Sequence, residues 1–176
     1  MAQYSISDKK YEDLIPIEMI KRHLWIDNDQ NEDLLLKEML QSSIDAAESF
    51  LRRSIVEQIV TCKFKEHKNG AVNLPVAFAI EFISCKQNGQ DLENPHSVID
   101  SYDEKNNRCI LKHAKPNSLI EIEIEYLAGW RGGHVPHEII QGILQHIYNI
   151  HHKQSPSLTT NKDSVDLYQT YRRLAL

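Results

Sequence analysis

The strongest constraint on the fold is a change of period. Ile120-Glu-Ile-Glu-Ile-Glu-Tyr126 alternates apolar and charged residues strictly. Leu-Ala-Gly-Trp130 and Arg-Gly-Gly-His134 then lead into Val135 to His152, where apolar residues recur at helical spacing. Alternation at period two places one side of an extended strand in a core and the other in water. Ile139, Ile140, Ile143, Leu144, Ile147 and Tyr148 line one broad face of a helix. Pro136 stands where a first-turn proline belongs, because its missing N–H would have no intrahelical partner there. Glu138 adds a carboxylate at the positive end of the helix dipole. Gly129, Gly132 and Gly133 give the backbone room to reverse between the two elements. The junction specifies a half-buried strand feeding a core helix, onto which the other elements pack.

The N-terminal third is helical by the same periodicity. Residues 1–14 are polar and read as a flexible arm. Pro16 opens a short helix carrying Ile17, Ile20, Leu24 and Trp25 on one side, and the Asx-rich run Asp27 to Asn31 is a turn. The longest helix follows, about Glu32 to Arg53, with Leu34, Leu35, Met39, Leu40, Ile44, Ala47, Phe50 and Leu51 as its apolar stripe. Glu32 and Asp33 at its start and Arg52 and Arg53 at its end suit the macrodipole. Ala46 and Ala47 permit close approach by another helix.

From Ile55 the period is two. Ile55 to Phe64 reads as a strand, Asn69-Gly70 as a hairpin turn, and Val72 to Val76 as an edge segment, since Pro75 cannot donate to a ladder. Ala79 to Lys86 is a further strand closed by Asn88-Gly89, and Ser97–Tyr102 with Cys109–Lys112 forms a hairpin about the turn at residues 103–107. After His152 a loop of turn formers (153–162) precedes a short terminal helix, about Asp163 to Leu174. Its Tyr168 and Tyr171 can pack at home or be offered to a partner. The expected class is α+β. Two N-terminal helices, one central core helix and a short C-terminal helix form a bundle, with a small antiparallel sheet inserted in the middle third. The expected boundaries are an arm over 1–14, a single α+β domain over 15–152, and a loop with a docking helix over 153–176.

Composition narrows function. A net charge of −5 argues against a protein that coats duplex DNA, which relies on clustered Lys and Arg. The basic residues come instead as dispersed pairs. The N-terminus lacks a signal peptide's apolar core, and Asn73, Pro75 and Glu81 break the longest apolar run, 71–85, so it is no membrane span. Cys62, Cys85 and Cys109 lie far apart with no Cys-x-x-Cys pair, the pattern of reduced thiols in the cytosol.

The candidate chemistry is thin. Of the nine histidines, His134, His137, His146, His151 and His152 flank or occupy the core helix. Residues nine and five apart sit about 180° and about 140° around a helix axis, so His137, His146 and His151 cannot hold one ion together. Glu121, Glu123 and Glu125 put three carboxylates on one strand face, which reads as a solvent face opposed by Lys or Arg on a neighbouring strand more readily than as an acid–base pair. Gly129-Trp-Arg-Gly-Gly133 lacks the Lys-Ser/Thr of a phosphate-cradling loop. No nucleophile elbow or dinucleotide fingerprint occurs. These features predict no catalytic residue, no metal site and no cofactor.

Three local patterns carry a resemblance. Ile17-Glu-Met-Ile-Lys-Arg-His-Leu-Trp-Ile-Asp27 precedes an acidic turn and Glu32-Asp-Leu-Leu-Leu36. Ile124-Glu-Tyr-Leu-Ala-Gly-Trp130 leads to Val135-Pro136 and a helix. Val165-Asp-Leu-Tyr-Gln-Thr-Tyr-Arg-Arg-Leu174 closes the chain. In this order and spacing they resemble the head–tail connector (adaptor) proteins of long-tailed bacteriophages, also described as DNA-packaging proteins, over about residues 15–174. The middle third departs most from that family. The resemblance implies a virion structural protein of a phage or prophage, present in the host cytoplasm during assembly and not an enzyme. It implies a homo-oligomeric ring of about twelve copies at the head–tail junction, between the portal and a tail-side stopper, through which double-stranded DNA passes. It makes Leu167, Tyr168, Tyr171 and Arg172 candidates for portal docking. An acidic lumen lets a duplex slide where Lys and Arg would hold it, which makes Glu121, Glu123 and Glu125 candidate channel-lining residues. The alternatives are a nucleic-acid-binding packaging accessory protein and, less favoured, a metal-dependent hydrolase built on the histidines.

Overall fold

The computed structural model describes residues 3–7, 9, 11–26, 32–64, 71–77, 79–104, 106–112, 121–130, 134–153 and 162–172. In chain order these form strand β1 (Gln3–Ile6) and helices α1 (Tyr11–Leu14), α2 (Ile17–Leu24) and α3 (Asp33–Leu51). Strands β2 (Gln58–Phe64), β3 (Ala71–Asn73), β4 (Ala79–Gln87), β5 (Gln90–Leu92), β6 (Ile99–Asp103), β7 (Arg108–Leu111) and β8 (Ile122–Ala128) follow. Helices α4 (His137–Lys153) and α5 (Lys162–Tyr168) come last, and a 3-10 turn, Gln169–Tyr171, extends α5. The class is α+β. The turns expected at 27–31 and 69–70, Gly132 and Gly133, and residues 154–161 of the expected loop lie outside the described residues.

The contacts group into two compact units. The first comprises chiefly Met1–Lys9 and Glu57–Trp130, the second Lys10–Val56 and Arg131–Leu174. The β-unit holds two antiparallel sheets where the sequence suggested one, with strand orders β1-β2-β8-β4-β5 and β3-β7-β6. Strand β8 is central in the larger sheet, paired with β2 (Cys62↔Ile124) and with β4 (Cys85↔Ile124). Its alternation is realised: Ile122, Ile124, Tyr126 and Ala128 are buried, and with Val60, Cys62, Val72, Ile99, Cys109 and Leu111 from both sheets they form one apolar core. The β4–β5 turn uses Asn88 (φ 51°) and Gly89 (φ 79°), two residues that tolerate left-handed backbone. Near Pro75 the backbone is tied down by side chains. Tyr126 Oη donates to the Val76 carbonyl at 2.9 Å, and Asn107 Nδ2 donates to the Leu74 carbonyl at 2.7 Å.

Strand β1 was not legible as structure. Residues 3–6 pair with Val60–Lys63 although all four side chains are exposed. Ladder hydrogen bonds come from the backbone, so a polar edge strand leaves little trace in a hydropathy pattern.

In the helical unit α4 packs on α2, α3 and α5, and α3 packs on α1, α2 and α5. The inward face of α3 is Leu36, Leu40, Ser43, Ile44, Ala47 and Leu51. This corrects the expected stripe: Leu34 and Leu35 are 71% and 47% exposed, and Leu36 takes the inward position. Three consecutive leucines fit either phase of a helix, and the rest of the face decides. The α3 C-terminus is closed by Glu48, whose Oε1 accepts from Ile55 N (2.7 Å), Val56 N (3.2 Å) and Ser54 Oγ (3.2 Å).

Candidate functional site

Each predicted site is described by what the fold buries and what it leaves accessible. The terminal helix is seated on its own unit. Tyr168 is 0% exposed, and its ring lies where a side chain at Gly142 would project: a Cβ built there falls 2.3 Å from Tyr168 Cε1. Gly142, in the middle of α4, is therefore the notch that admits the ring. Phe50 contributes a tilted contact to Tyr168 at 6.0 Å between centroids, and Arg172 lies over the Phe50 ring at 4.6 Å. Tyr171 Oη donates to Glu138 Oε2 at 3.0 Å. Glu138, bonded also by its own backbone N–H, is held below the usual carboxylate range, and Tyr171 is held above the usual phenol range. Of the four portal-docking candidates, Tyr168 is buried in the Gly142 notch. Leu167 and Tyr171 are half-buried and Arg172 is exposed.

The carboxylate strand is less bare than its sequence. Lys63 Nζ lies 2.7 Å from Glu123 Oε2, a hydrogen bond that raises the Lys63 ammonium above its usual range. Ser84 Oγ donates to Glu125 Oε2 at 2.9 Å, and Lys86 stands opposite Glu123 in register. Only Glu121, just before β8, is fully exposed, its backbone N–H bonded to Asn88 Oδ1 at 3.2 Å. Cross-strand lysines of this kind are the ordinary partners of carboxylates on a half-exposed sheet face.

The histidines spread around α4. His146 is buried inside the unit. His152 stacks on Tyr148 at 4.0 Å, His151 approaches Glu32 at 3.9 Å, and His137 lies 3.3 Å from Gln141 Nε2. Among the described residues, no three His, Cys, Asp or Glu side chains come together in a way that could hold a metal ion, and no helix is long and apolar enough to cross a membrane. The three cysteines, scattered in sequence, lie in one apolar core. Burial pushes the Cys62 and Cys109 thiols up to about 12 and Cys85 to about 11. Such thiols are inert at neutral pH.

One surface escaped sequence reasoning. Trp25, assigned by spacing to the inward stripe of α2, is 93% exposed. It caps the helix in the left-handed region (φ 59°) with its N–H on the Arg22 carbonyl, which turns the indole away from Ile17, Ile20 and Leu24. Beside it an open groove runs between α2 and α4, lined by Met19, Arg22, His23, His137, Leu144 and Tyr148 among others. His23 and Tyr148 meet across it edge to face at 6.3 Å. An exposed tryptophan next to a groove is the commonest composition of an interface anchor.

The fold is similar to three solved assemblies. It matches a chain in the neck of an empty gene transfer agent particle computed with C6 symmetry (TM-score 0.77, 13% identity). It also matches one in the neck of a native particle of that kind computed with C12 symmetry (TM-score 0.74, 14% identity) and one in the virion of a native particle (TM-score 0.73, 13% identity). Each match covers 100% of this chain and 97% of the other. No curated protein is significantly similar in sequence. The profile of the phage gp6-like head–tail connector proteins matches residues 15–116. That span exceeds half of the chain and contains α2, α3 and most of the β-unit: the chain belongs to the phage gp6-like head–tail connector family.

Proposed function

We propose that this protein is a structural subunit of a phage or prophage neck, forming a ring of identical copies between the portal and a tail-side stopper through which double-stranded DNA passes. The observation that carries the reading is the match of the whole fold to a chain of a particle neck computed with C6 or C12 symmetry, taken with the family membership. The physics supports it. A ring needs two different adhesive faces on each copy, and the helical unit exposes large apolar side chains at Trp25 and at Leu34 and Leu35. A net charge of −5 suits a conduit that lets phosphate slide, and disfavours a DNA-binding accessory role.

Within this reading α5 is the portal-facing element. Tyr168 serves as its inward anchor, and Leu167, Tyr171 and Arg172 stand at its accessible rim. Glu121, Glu123 and Glu125 are the lumen candidates, Glu121 exposed and Glu123 and Glu125 engaged by Lys63 and Ser84. Electron microscopy of the purified protein, alone and mixed with its portal, tests the proposal. Rings stacked coaxially on the portal are expected. A chain that stays dispersed in the presence of portal contradicts it.

A further inference from the structure

We infer that neighbouring copies in the ring meet through two opposite sides of the helical unit: the outer face of α1 and α3 of one copy enters the α2/α4 groove of the next. The inference rests on the ring reading above and names its seam.

The geometry comes first. Helices α2, α3 and α4 pack pairwise. The buried face of α3 looks inward to the other two, so Leu34, Glu38 and Asp45, which lie together on the far side of the helix, point away from the triangle. The groove lies between α2 and α4, on the edge of the triangle that α3 does not occupy. The two surfaces therefore face in roughly opposite directions. A contact between different, oppositely directed faces of identical molecules is heterologous. It cannot stop at a dimer and must close into a ring or run on as a filament.

The chemistry of the two faces is complementary. The groove offers an indole, a thioether and a phenol ring, and among the described residues of its lining Arg22, His23 and His137 are the charged or chargeable groups. The α1/α3 face offers Leu34, at 71% exposure, and Leu35, set among Glu12, Asp13, Glu38 and Asp45. On this face Lys37 is paired internally with Glu12 at 3.0 Å, and Asp45 accepts from Tyr11 Oη at 3.2 Å, which leaves Asp13 and Glu38 as its outward carboxylates. An acidic, leucine-tipped surface and a cationic, aromatic groove each leave apolar area in water that the other covers. The occupant that fits the groove is a second copy of this chain.

Crosslinking tests the seam. The double variant Glu38→Cys with Gln145→Cys places one thiol on each face, and the native cysteines are buried and protonated, so a short bis-maleimide finds only the new pair. The expected result is a ladder of covalent oligomers ending in a closed ring, with neither single variant linking to itself. Charge reversal is the second arm. Arg22→Glu and Glu38→Lys should each weaken assembly about ten-fold or more, and combining them in one chain should restore it, since every seam then regains an opposite pair. Both sites are exposed, so far-ultraviolet dichroism should match the wild type. Rings that persist in the microscope without a ladder and without charge sensitivity overturn this seam and leave the ring reading standing. Absence of rings for wild type and variants alike overturns both.

Discussion

Replacing Gly142 by alanine is the sharpest test of how the terminal helix is held. In a free helix interior the change stabilises by about 1 kcal/mol, because glycine has more backbone freedom to lose on folding. Here the new methyl falls 2.3 Å from Cε1, 2.8 Å from Cζ and 3.0 Å from Cδ1 of a fully buried ring. The obstacle is a packed aromatic, so either the core strains, at about 1–3 kcal/mol, or Tyr168 leaves its seat, at about 3–5 kcal/mol. The cheaper route sets the cost, so after the helix-propensity gain the net expectation is destabilisation by about 0–2 kcal/mol. In a Tyr168→Ala background the obstacle is gone and Gly142→Ala should stabilise by about 1 kcal/mol. The cycle thus predicts a coupling of about 1–3 kcal/mol between the two positions, the strain itself. Urea unfolding followed at 222 nm is the assay, since every α-helix among the described residues belongs to the helical unit. Stabilisation by Gly142→Ala in the wild-type background would refute the notch.

The remaining predictions concern charge and thiols. The Glu138–Tyr171 hydrogen bond stabilises docking of the last turn with a depressed carboxylate pKa. Its contribution is therefore present above the unfolded carboxylate value and lost as pH falls through the lower folded one, and the protection of the 169–171 amides, relative to their intrinsic exchange at each pH, should fall in acid. Glu138→Gln should abolish that acid dependence. The buried thiols have raised pKa values. Their contribution is complete below the unfolded value near 9 and is lost as pH rises toward about 11–12, and a thiol reagent at pH 8 should label none of the three until the chain unfolds. Glu48→Ala removes the acceptor for Ile55 N, Val56 N and Ser54 Oγ, and should cost about 1–3 kcal/mol in the same urea assay.

Much of this architecture is legible in the residues. The alternation around Ile124 and the helical repeat around Ile143 are strong because burial on one side is their cause, and the structure uses both phases, with Tyr148 alone of the written helix face exposed. The Asn88-Gly89 turn is legible for a different reason, a backbone that few other residue pairs adopt. What stayed hidden depends on contacts between segments distant in sequence. Strand β1 is made by backbone pairing with β2 and has no apolar signature. Glycine at 142 reads as a weak spot in a helix until Tyr168, twenty-six residues on, is seen to occupy the space above it. Leu34 and Trp25 fit an inward stripe on paper, but the run Leu34-Leu-Leu36 admits two phases, and a left-handed cap swings Trp25 outward. The same two errors mark the surfaces that ring assembly uses in the seam inferred here, where apolar residues break the inside–outside rule because a second copy covers them. The charged strand misleads in the opposite way. Three glutamates suggest an acidic face, and the groups that engage two of them, Lys63 and Ser84, lie on β2 and β4.

Native mass spectrometry of the assembled protein addresses the central claim most directly. The chain has a mass of 20.4 kDa. The account predicts one dominant closed species at a single integer multiple of that mass, formed alone or on the portal, with only minor intermediates between it and the monomer. Monomer or dimer as the end state at every concentration, with and without portal, would contradict it.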